Sequence, residues 1–65
     1  MNLRNLHHLY TTSPASFAEL AKSQGLDPVV SLGVVKLLLA NDGNLGSLSQ
    51  KQREHFEKTI LPLIQ

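Results

Sequence analysis

Between Val29 and Ala40 only Ser31, Gly33 and Lys36 interrupt an apolar run, and any fold of this chain has to bury most of it. About 12 residues fall well short of the ~20 that span a bilayer. The valine content makes a buried strand the competing reading. However, Asp27-Pro28 before the run is a cap-plus-proline helix start, and Asn41-Asp42-Gly43 after it is a helix stop. Length and boundaries together predict a helix from Pro28 to Asn41. Wound at about 100° per residue, Gly33, Lys36 and Ala40 share a wedge of about 60°, while the apolar residues fill roughly 220° with Ser31 inside that arc. A surface helix needs only about 100° of apolar stripe. The spacing therefore predicts a helix that is central to the domain, or one with a second apolar face for another chain.

The remaining punctuation cuts the chain into four helical segments. Leu3, Leu6, Leu9 and Tyr10 recur at three- and four-residue spacing behind a possible Asn2 cap, and Thr11-Thr12-Ser13-Pro14 should end this first helix. The second has two competing starts, Ser13 with Pro14 or a Ser16-x-x-Glu19 capping box. It buries Phe17, Leu20 and Ala21 and stops at Gly25, with Leu26 placed for a Schellman motif. Ser49 and Gln52 form a capping box for the fourth helix, which runs to about Leu61 with Arg53–Glu57 and Glu54–Lys58 spaced as ion pairs. Its buried stripe is Phe56 and Ile60, extended by Leu63 if the chain stays helical past Pro62. The expected fold class is all-α: one domain over residues 1–65, a small bundle of four short helices. Helices two and three form a helix-turn-helix-like corner. The apolar tail from Ile60 to Ile64 either packs inward, joins an interface, or marks a fragment of something longer.

Composition narrows the chemistry. A domain of ~60 residues buries only about 60% of the surface its unfolded chain exposes, and with no cysteine no disulfide can supplement the core. A metal site would rest on three histidines and five carboxylates. His7 and His8 are adjacent, so on a helix they diverge by about 100° and cannot grip one ion, and His55 lies in another helix. The Asn41–Gly46 loop offers Gly43 and Leu45 where calcium needs oxygen ligands. The chain has no nucleophile elbow, phosphate-cradling loop or cysteine nucleophile, so no catalytic residue, metal or cofactor is expected. The net charge of +1 and 17% charged residues leave no polybasic run for a membrane surface, and no apolar h-region follows Met1-Asn2-Leu3-Arg4. A soluble cytoplasmic protein with no membrane partner is the expectation.

Two functional readings follow. Leu20-Ala21, then Gly25-Leu26-Asp27-Pro28, then the valine-rich helix resembles, over about 24 residues, the recognition segment of winged-helix regulators. The resemblance implies DNA reading by the first exposed turn of the third helix, with Lys22, Ser31 and Lys36 as the residues able to contact nucleic acid; no β-hairpin wing follows. The favoured reading is a non-catalytic protein–protein interaction or regulatory domain, with a protein partner or a second copy of itself. Leu3, Leu6, Phe17, Leu20, Phe56 and Ile60, with Leu26, Leu45, Leu48 and Leu63 in the gaps, either close the core of a plain monomer or leave part of the arc open. In the second case the interface candidates are Val30, Val34, Leu38, Leu61, Leu63 and Ile64.

Overall fold

The computed structural model describes all 65 residues: α1 (Leu3–Thr12), α2 (Ala15–Ser23), α3 (Pro28–Ala40), a 3-10 turn (Leu45–Ser47), α4 (Gln50–Thr59) and α5 (Leu61–Ile64), with no strand. The fold is a small all-α bundle in which α3 packs against α1, α2 and α4. Most helix ends follow the local chemistry of the sequence. Asn2 Oδ1 accepts from the Asn5 N–H at 3.0 Å and Asp27 Oδ1 from the Val29 N–H at 2.9 Å. The Ser49–Gln52 box forms in both directions, at 3.2 and 2.8 Å. Gly25, at φ +72°, closes a Schellman motif in which the Leu26 N–H donates to Ala21 and the Gly25 N–H to Lys22.

α1 stops at Thr12, inside the stretch expected to end it, with the Thr11 and Thr12 hydroxyls donating back to the carbonyls of His7 and His8. Local expectation and structure part at three places. Neither expected cap opens α2: the Ser13 and Ser16 hydroxyls bond each other at 2.9 Å, and no side chain caps the helix. Arg53 donates to the Leu45 carbonyl, 3.1 Å away, and so ties α4 to the 3-10 turn. α4 ends at Thr59, and a single separate turn, α5, follows around Pro62. That break resets the helical phase, which turns Ile64 into the core and leaves Leu63 exposed, the reverse of an unbroken Phe56–Ile60–Leu63 stripe.

The core is Leu6, Phe17, Val34, Val35, Leu38, Leu48, Phe56, Ile60 and Ile64, and Ala21, fully buried, lets α2 approach closely. On α3 the buried residues Ser31, Val34, Val35 and Leu38 span only about 100°. Leu32 and Leu39 on one flank and Leu37 on the other are partly buried against the same cluster. The broad apolar arc is thus mostly absorbed within the chain. The accessible surface of 4050 Å² matches the roughly 4,100 Å² expected of a compact monomer of this mass.

α3 ends with Asp42 in the left-handed region at φ +54°, while the Gly43 N–H donates to the Leu38 carbonyl at 2.7 Å. An aspartate there carries a Cβ where glycine is favoured, and its charge sits at the negative end of the helix dipole. Asp42→Gly is expected to stabilise the fold by about 0.5–1 kcal/mol, raising Tm in a thermal melt by several degrees, on the order of 4–8 °C per kcal/mol. A lowered Tm would contradict this helix ending.

Candidate functional site

The one polar residue inside the apolar arc of α3 organises the most distinctive chemistry of the molecule. Ser31 is fully buried, and its Oγ lies 2.5 Å from His55 Nε2 and 2.9 Å from Thr59 Oγ1. Thr59 is fully buried too, and its hydroxyl donates to the His55 carbonyl one turn back at 2.8 Å. Each hydroxyl has a single proton, so making all three bonds fixes their sense. Thr59 donates to the carbonyl, Ser31 therefore donates to Thr59, and His55 must donate its Nε2–H to Ser31. The chain of bonds leaves His55 and returns to it. No buried side-chain nitrogen or oxygen lacks a partner, so Nδ1, the one ring nitrogen outside this chain of bonds, reaches solvent.

Ser31 beside a histidine invites comparison with a nucleophile and its base, and the geometry points the other way. Its proton is committed to Thr59, its oxygen accepts from the imidazole, and no surface of the residue is accessible to a substrate. The arrangement is a clasp between α3 and α4. Outside it lies a recess of about 210 Å³ lined by Leu26, Lys51, Glu54, His55 and Lys58, and Gln24 of the α2–α3 connection donates to the Lys58 carbonyl beside it at 2.7 Å. Burial holds the His55 pKa below its ordinary 6.5; the negative charge of Asp27 pulls it up and the positive charge of Lys58 adds to the lowering. A second, shallower groove of about 420 Å³ runs between α1 and the end of α3, along Leu3, Arg4, His7, Leu39 and Asp42.

The structure scatters the residues singled out from sequence. Val34, Leu38 and Ile64 are core residues at 1%, 0% and 1% exposure, so they are withdrawn as interface candidates: the bundle itself covers that part of the arc. Leu61 is partly buried against the core, whereas Val30 and Leu63 are exposed. Ser31 is corrected as a nucleic-acid candidate, because the clasp seals it from any base edge; Lys22 and Lys36 remain exposed. Val29, the most exposed large apolar residue at 73%, was absent from both sets. The clasp itself was readable only in part. A serine within an apolar arc needs a buried partner, and His55 and Thr59, four residues apart, border the Phe56–Ile60 stripe, but nothing local says that the helices meet there. Comparison with protein-family models, with curated proteins and with solved structures finds no match to this chain.

Proposed function

We propose that this is a small, non-catalytic, cytoplasmic protein–protein interaction domain that self-associates through the head of α3. The observation that supports this reading is the exposure of Val29 and Val30, adjacent residues in the first turn of a helix whose other large apolar residues are buried or half-buried. With the core otherwise closed, Val29 contributes little within the chain and Val30 keeps 40% of its surface outside it, and the half-buried Leu26 precedes them. A Cβ built on Gly33, one turn further along, would meet nothing within 4 Å, so a second chain can approach the helix backbone there. A stable dimer buries at least ~1,200 Å² in total, or roughly a seventh of each copy's surface. The two valines are therefore the centre of the contact and not its whole extent. Leu63, exposed on α5, is the part of the expected tail surface that survives.

Sedimentation equilibrium at micromolar concentration is expected to show a dimer for the natural chain and a monomer for Val29→Lys with Val30→Glu. The variant should melt within about 0.5 kcal/mol of the natural chain in the monomer limit, because exposed substitutions cost little. Adding Leu63→Glu decides whether the tail takes part. A clean monomer at every concentration removes the self-association reading. Affinity for mixed duplex DNA that falls steeply with salt, lost in Lys22→Gln and Lys36→Gln, would place the function with nucleic acid instead.

A further inference from the structure

We propose that His55 is a proton-operated latch: protonation at Nδ1 draws the imidazole out of the Ser31–Thr59 clasp and loosens the first turns of α3 from α4. The proposal stands on how the clasp is built. Because Nε2 already carries the proton donated to Ser31, the only atom that can take another is Nδ1, which reaches solvent at the recess. Proton access therefore needs no opening, whereas accommodating the resulting charge does. The cationic ring would sit in a residue only 9% exposed, with Lys51 one turn before it and Lys58 one turn after it on the same face of α4.

The groups facing the ring divide by sign. Asp27, the cap of α3, and Glu54 on α4 favour the cation; Lys51 and Lys58 oppose it; and the α2–α3 connection contributes the neutral Gln24 and Leu26. Burial adds to the lysines' side of that balance. Swinging outward rehydrates the ring, leaves Ser31 bonded to Thr59 alone, and opens the contact to water. The device belongs to the single chain and operates whether or not the head of α3 docks a second copy.

A histidine that binds its proton more weakly folded than unfolded contributes stability that is fully present above the unfolded value of 6.5. That stability is lost as pH falls through the lower folded value. Between pH 7 and 5 the unfolding constant from urea melts is expected to rise with acidity by up to about tenfold per pH unit, the limit for one proton. His55→Gln, which keeps a donor for Ser31, should flatten that dependence. In case this variant folds poorly, two measurements on the natural chain test the same idea. The His55 Hε1 resonance should titrate below 6.5, and the amide protection factors of Val34, Val35 and Thr59, taken against the intrinsic exchange rate at each pH, should fall in acid ahead of those of Phe17 and Ala21. A His55 midpoint at or above 6.5, a stability flat from pH 7 to 5, or a uniform fall in protection across the domain would overturn the latch.

Discussion

Replacing Val34 or Leu38 by glutamate is expected to unfold this protein outright: circular dichroism should show a largely disordered chain at room temperature for either variant. Both side chains lie in the core at 1% and 0% exposure. A carboxylate at either position is buried without a partner or takes up a proton, at a cost of several kcal/mol. A domain of this size has a total stability of only about 3–10 kcal/mol. The graded variant Leu38→Ala should lose about 2–5 kcal/mol by leaving a cavity, which urea melts resolve if the domain still folds. Val30→Glu, 40% exposed, should stay folded. A soluble, helical Val34→Glu protein that had merely lost self-association would mean that this side of α3 faces another chain and not the core.

Ser31→Ala should cost about 1–3 kcal/mol, although it deletes a single oxygen. The loss comes less from the hydrogen bonds removed than from the groups left behind. His55 would keep an Nε2–H aimed at a methyl group, and Thr59 would keep an oxygen with no donor, both where water does not reach. The mechanism has a distinguishing signature. In a His55→Leu background the orphaned donor is gone, so the same Ser31→Ala change should cost clearly less, and a double-mutant cycle should give a coupling of at least ~0.5 kcal/mol. Equal costs in both backgrounds would show that the serine acts through packing alone.

The helical elements were legible because their signals are local. Asp27-Pro28, the Ser49–Gln52 box and Gly25 act within one turn of the backbone, and each forms its expected bonds. The errors arose where two local signals competed or where a break changed the helical phase. Ser13 and Ser16 each resembled a cap and instead bond each other. Pro62 leaves open whether the helix continues; the break falls before it, at Ile60, and the direction in which Leu63 and Ile64 point depends on where α5 seats.

The candidate site was less legible, because burial is a property of pairs of elements. Periodicity placed Val30, Val34 and Leu38 on one apolar arc and gave no means of telling which edge a neighbouring helix would cover. α1, α2 and α4 cover its centre, so Val34 and Leu38 became core, and Val29 and Val30 were left outside at the helix head. Ser31, anomalous within that arc, meets partners 24 and 28 residues further along the chain, a distance over which no spacing rule operates.

Local chemistry along the chain is enough to make this protein helical, to set where most of its helices begin and end, and to make α3 the element the others must cover. Backbone capping and steric preference within a few residues suffice for that. Packing of the helices is what makes the bundle cover most of the arc itself, ends α3 with an aspartate in a left-handed turn, and closes the hydrogen-bonded clasp of Ser31, His55 and Thr59. Those outcomes depend on which side chains compete for the same buried volume, and that competition is settled only when the helices pack.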